Sequence, residues 1–102
     1  MKSTKILYIG RHSEIMEIVV RLINANENWE GIGAKTDEEA MRIFQKENID
    51  IVLLGSGIDE ESEAMLDAFF RKTNSKIIII QHYGGGSGLL KSEILLALSN
   101  FK

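Results

Sequence analysis

Apolar residues fall along this chain in two alternating patterns, short unbroken runs and longer stretches at helical spacing. Lys5-Ile6-Leu7-Tyr8-Ile9, Asp50-Ile51-Val52-Leu53-Leu54 and Lys76-Ile77-Ile78-Ile79-Ile80 are the runs. Their continuous β-branched and aliphatic character predicts strands over 5–9, 50–54 and 77–80, apolar on both faces as in a parallel sheet. A weaker run over 29–35 is broken by Gly31 and Gly33, which marks an edge strand. Between the first two runs, Ile15, Val19, Leu22 and Ile23 share one helical face, with Ser13 as the expected N-cap and Glu14 and Glu17 near the positive end of the helix dipole. Thr36-Asp37-Glu38-Glu39 matches the capping box and starts a second helix, with Ala40, Met41 and Phe44 as its apolar stripe and Asn48 as its terminator. Asp59 is placed to cap a third helix, which carries Met65, Leu66, Phe69 and Phe70 and closes at Lys72-Thr73-Asn74. A last helical pattern carries Ile94, Leu95, Leu98 and Phe101.

Strand and helix signals in strict alternation predict βα units, hence an α/β fold in three layers with a parallel sheet between helices. No proline, repeat or linker divides the sequence, so 1–102 reads as one domain. A net charge of −3 spread over 102 residues gives no basic patch for a nucleic acid. The absence of cysteine removes disulfides, thiolate nucleophiles and thiolate metal ligands together and fits a reducing compartment. No signal peptide or membrane-spanning run is visible, and the expected setting is the cytoplasm, without membrane contact.

The residues just beyond each strand carry the functional information, because ligands of open α/β sheets sit at the strand C-termini. The first strand runs into Gly10-Arg11-His12, the third into Gly55-Ser56-Gly57 and the fourth into Gln81-His82-Tyr83-Gly84-Gly85-Gly86. In this order the chain resembles the CheY-like receiver domain of two-component response regulators, a flavodoxin-like fold with sheet order 2-1-3-4-5. The likeness runs through the first strand, the entry to the second helix at 36–44, and the third strand. It implies that Gly10 and Arg11 stand where the family keeps an acidic pair for Mg²⁺, Gly55 where it keeps the phosphoacceptor aspartate, and Gln81 where it keeps a hydroxyl residue. Lys91 falls at the family's lysine, with Ser92 in place of the usual proline. The resemblance therefore implies a degenerate receiver that takes no phosphoryl group, since that chemistry needs a nucleophile and a carboxylate cage for a hard cation. Asp59 lies four residues beyond Gly55 and reads as a helix cap rather than a displaced acceptor.

The chain also departs from the family in length. Only seven residues separate Gln81 from Leu89, whereas a parallel crossover takes ~10–12 or more. Four strands in order 2-1-3-4 are expected, with 89–101 mostly one helix and a short fifth strand at Leu89-Leu90 as the alternative. This truncation makes the fourth strand an edge despite its core-like composition, and apolar edges invite pairing. A homodimer through Ile77, Ile79, Tyr83, Leu89 and Leu90 is the expected resolution, with a further protein partner of unknown identity.

A second reading gathers Arg11, Ser56, His82 and the loop Gly84-Gly85-Gly86-Ser87 into an anion or nucleotide site, since backbone N–H groups before a helix attract anions. The loop lacks the Lys-Ser/Thr ending of a P-loop and also reads as a plain connector. His12 and His82 without a carboxylate or thiolate beside them make no metal site, and Ser56 with either histidine lacks a third group to orient it. No enzymatic activity, cofactor or metal is expected. Tyr8 and Trp29 read as packing residues, and Asp59-Glu60-Glu61-Ser62-Glu63 as a solvated helix start or a dock for a basic partner.

Overall fold

The computed structural model describes residues 4–55 and 57–81. Four strands and three helices alternate along them: β1 (Thr4–Ile9), α1 (Ser13–Asn24), β2 (Trp29–Ala34), α2 (Asp37–Lys46), β3 (Ile51–Leu54), α3 (Glu60–Thr73) and β4 (Ile78–Gln81). All strand pairs are parallel and the order is β2-β1-β3-β4, the expected topology. The terminal helix, the fifth-strand alternative, Tyr83, Leu89, Leu90 and Lys91 lie outside the described residues. Among the described residues no helix is long and apolar enough to cross a membrane.

β1 and β3 are the spine of the sheet. Ile6, Leu7 and Ile9 of β1 and all four residues of β3 are fully buried, as befits strands covered on both faces. On one side Ile6, Tyr8, Ile51 and Leu53 pack with Val19 and Ile23 of α1 and with Trp29. On the other, Leu7, Ile9, Val52 and Leu54 meet Ala40 and Phe44 of α2 and Leu66 and Phe70 of α3. There Phe44 and Phe70 stack at 4.5 Å between ring centroids, with Phe69 edge-on to both.

Several local expectations change. α1 begins one residue earlier than predicted: the His12 carbonyl already accepts from the Met16 N–H at 3.0 Å, so His12 occupies the N-cap position, without a side-chain hydrogen bond, and Ser13 is the first helical residue. Its buried face is turned as well. Val19 and Ile23 are inside with Met16 and Val20 packed beside them, whereas Ile15 and Leu22 are 41% and 38% exposed. The helix has more apolar circumference than the sheet covers, and Gly31 and Gly33 select the contact side, since a Cβ on Gly33 would stand 2.6 Å from Met16 Sδ.

Thr36 caps α2 as expected, its Oγ1 accepting from the Glu39 N–H at 3.1 Å. Glu39 returns the bond to the N–H of Lys35 rather than of Thr36, and the C-cap is Glu47 instead of Asn48. Asp59 caps α3 through the Ser62 N–H at 2.8 Å, while Met65, expected in the buried stripe, is 44% exposed. β4 starts one residue later than predicted. Ile77 donates to the Asn74 carbonyl in the preceding turn and is buried at 4% exposure, which withdraws it from the expected dimer surface. Ile79 is half-buried, paired in register with Val52.

Candidate functional site

The sheet brings the ends of β1 and β3 side by side. The ladder continues past both strands, with the Gly10 N–H donating to the Ala34 carbonyl at 3.1 Å and the Gly55 N–H to the Ile9 carbonyl at 2.7 Å. Both glycines are buried, and both amides are used within the sheet. These two amides are therefore not free to hold an anion.

The space that side chains at Gly10 and Gly55 would occupy is filled by Tyr8. This residue is 2% exposed, and its side chain leaves the same face of β1 as position 10, two residues on. A Cβ on Gly10 would lie 2.8 Å from Tyr8 Cε2, and one on Gly55 would lie 2.5 Å from Tyr8 Cζ and closer still to the hydroxyl. Burial pushes the pKa of this hydroxyl up, so at neutral pH the group is a neutral phenol and supplies no phenolate base.

Arg11 continues from Gly10 and turns toward the β2–α2 connection. Its Nη2 pairs with Asp37 Oδ1 at 2.6 Å and its Nη1 donates to the Lys35 carbonyl at 2.9 Å. The two charged side chains retain 28% and 23% of their surface. The pair ties three segments together: the end of β1, the exit of β2 and the first turn of α2, where a carboxylate also suits the helix dipole. On the other side Arg11 and His12 lean against Gly57, the positive-φ glycine of the β3–α3 turn at φ 89°. A Cβ there would stand 3.1 Å from Arg11 Cβ and 3.2 Å from His12 Nε2. The Asp59 carboxyl is held below its ordinary range, first by the Ser62 hydrogen bonds and only last by the charge of Arg11.

Gly10, Arg11 and Gly55 thus lie together at the joined ends of β1 and β3. Gln81 pairs with Leu54 inside the sheet instead of following the strand, and it lines an open groove of about 650 Å³ with Glu60, Glu63, Ala64, Asp67 and Ala68 of α3. Ser56, His82, Gly84, Gly85, Gly86, Ser87 and Lys91 lie outside the described residues. Among the described residues the two glycines and the Tyr8 phenol supply no carboxylate, and the nearby ones are engaged, Asp37 with Arg11 and Asp59 with the Ser62 N–H, so they form no cage for a divalent cation. Among the described residues no cluster of three His, Cys, Asp or Glu is arranged to hold a metal. Two participants were not visible as such in the sequence. Asp37 was legible only as part of a cap, and Tyr8 only as core, although it is the single aromatic residue within the three strong apolar runs.

No protein-family model and no curated protein matches the chain. Solved structures do. A CheY-like response regulator receiver domain protein from Methanospirillum hungatei superposes with a TM-score of 0.86 at 14% identity, covering 98% of this chain and 97% of that one. The response regulator protein TrrA from Thermotoga maritima, solved in complex with Mg(2+)-BeF, gives 0.77 at 20% identity over 92% of this chain and 98% of that one. A response regulator receiver domain from Clostridium thermocellum gives 0.69 at 24% identity, over 94% and 75%. What this chain shares with them is the fold of the response regulator receiver domain, a CheY-like, flavodoxin-like α/β structure.

Proposed function

We propose that this chain is a receiver-like domain that works in signalling or regulation by protein–protein contact, in the cytoplasm and as a homodimer, without phosphorylation on aspartate and without enzymatic activity. One observation carries the reading: at the joined ends of β1 and β3, where receiver domains by resemblance hold their acidic pair and phosphoacceptor, stand Gly10, Arg11 and Gly55 with the Tyr8 ring filling the space. TrrA was solved with Mg(2+)-BeF; in this chain the corresponding positions carry a paired cation and no carboxylate. A surface that no phosphoryl group resets is constitutive or set by a partner.

The dimer reading rests on β4, which pairs among the described residues with β3 alone and carries half-buried Ile78, Ile79 and Ile80. The alternative reading, an anion- or nucleotide-binding protein, is the weaker because Arg11 is already neutralised by Asp37.

Two measurements test the proposal. Incubation with acetyl phosphate and Mg²⁺ and then intact-mass spectrometry is expected to leave the protein unmodified; a phosphoryl adduct labile to hydroxylamine refutes the reading. Light scattering is expected to give a dimer for the wild-type chain and a monomer for Ile79→Lys, because an edge lysine opposes strand pairing. A wild-type monomer removes the homodimer, and an unchanged dimer in the variant removes the β4 edge as its interface.

A further inference from the structure

We infer that Tyr8 is a lock: its ring is wedged between the ends of β1 and β3, holds the β1–α1 and β3–α3 connections in one arrangement, and closes the strand-end site to ligands. This deepens the reading of a domain without a phosphoryl switch, and it rests on geometry that stands apart from any function. Glycine is kept at a position either because the backbone demands it or because a neighbour does. Gly57 is the positive-φ glycine of the described residues, so Gly10 and Gly55 have backbone conformations open to side-chain-bearing residues. Their neighbour is what excludes a side chain.

At Gly10 the three atoms nearest a Cβ all belong to Tyr8, with Cε2 at 2.8 Å, the hydroxyl oxygen at 3.1 Å and Cζ at 3.2 Å. At Gly55 the Tyr8 hydroxyl and Cζ come first, and the Ile9 carbonyl oxygen is next at 2.9 Å. The ring is packed in one core cluster with Ile6, Val19, Leu53 and Met16, and close-packed interiors resist rotamer change. Tyr8, Gly10 and Gly55 are therefore one matched set. A carboxylate cannot be restored at Gly55 while the phenol remains, and the site admits neither a cation nor a phosphoryl group. The lock fixes the turns through the two ends it touches: Gly10 leads directly to Arg11, which packs on Gly57 across the site.

The set makes a coupling prediction. Gly10→Ala in the wild-type chain is expected to lower the melting temperature by about 5–10 °C, since the ring must move. In a Tyr8→Val background the same change should cost nothing or raise it slightly, because alanine at an allowed φ restricts only the unfolded chain. Equal losses in the two backgrounds overturn the inference. Gly55→Ala should be rescued only in part, since the Ile9 carbonyl stays in place.

Should Tyr8→Val not fold, Tyr8→Phe and Tyr8→Leu serve with amide hydrogen exchange. With the ring kept in Tyr8→Phe, the amides of Gly10 and Gly55, which donate to the Ala34 and Ile9 carbonyls, should exchange as in the wild type. In Tyr8→Leu they should exchange about tenfold faster once the global change, read at Val52, is subtracted. Unchanged exchange in Tyr8→Leu refutes the lock. A phosphoryl adduct on the wild-type protein would overturn the proposed function and leave this coupling standing, so the two ideas fail separately.

Discussion

Replacing Arg11 by alanine removes the clamp that joins the end of β1 to the start of α2. Three contributions go with it: the ion pair to Asp37 at 2.6 Å, the hydrogen bond to the Lys35 carbonyl at 2.9 Å, and the packing of the arginine stem against Gly57. Fully exposed pairs contribute ~0.2–1 kcal/mol, and hydrogen bonds to charged groups ~1.5–3 kcal/mol. With roughly a quarter of each side chain still in water, Arg11→Ala should cost about 1.5 kcal/mol, or near 10 °C in melting temperature for a domain of this size. Arg11→Lys should lose about half as much, since an ammonium on a flexible stem cannot satisfy both partners in the fork geometry. Urea unfolding of the wild type, Arg11→Ala, Asp37→Ala and the double variant closes a cycle. The dipole contribution of Asp37 cancels within it, and the expected coupling is about 0.5–1 kcal/mol, smaller in 1 M salt. Strict additivity would show that the pair does not stabilise the fold. The same variants decide the fate of the anion reading. Inorganic phosphate should not stabilise the wild-type protein, and a phosphate-dependent stabilisation abolished by Arg11→Ala would show that the guanidinium is free to bind after all.

Gly57→Ala forces a side chain into the left-handed region against Arg11 and His12, with an expected loss of about 1–2 kcal/mol in denaturant unfolding; no loss would contradict the turn. Leu66→Ala empties a fully buried position between α3 and the sheet and should cost about 2–5 kcal/mol, whereas Met65→Ala on the exposed side should cost far less; equal costs would mean that the face of α3 is misassigned. Thr36→Ala, which deletes the cap of α2, should lose about 1 kcal/mol by the same assay. Asp59 and Glu47 have pKa values lowered by the Ser62 hydrogen bonds and by the Lys5 hydrogen bond respectively. Their stabilisation is complete above the unfolded carboxyl range near pH 4 and disappears as pH falls through the lower folded values. A melting temperature that stays flat from neutral pH to well below 4 would contradict both assignments.

The sheet order and most elements were legible because unbroken aliphatic runs have few other uses and because Thr36 and Asp59 are strong caps. The face of α1 was not. Ile15, Val19, Leu22 and Ile23 share a helical period, but so do Met16, Val19, Val20 and Ile23, and periodicity alone does not say which flank meets the sheet. The choice is made by Gly31 and Gly33 on another element. The site was half legible for a similar reason. Gly10 and Gly55 declared themselves by what they lack, whereas Asp37 finds Arg11 across 26 residues of sequence, and Tyr8 meets Gly55 only after the third strand is in register.

The position of β1 bears on how this protein is made. β1 precedes β2 and β3 in the chain and is flanked in the sheet by both, so it cannot bury both edges until Leu54 has emerged from the ribosome. Until then its apolar residues have native cover only from α1, β2 and α2. Completion of the sheet's centre accordingly waits for the third strand, and a stall before it would leave one edge of an aliphatic strand unpaired.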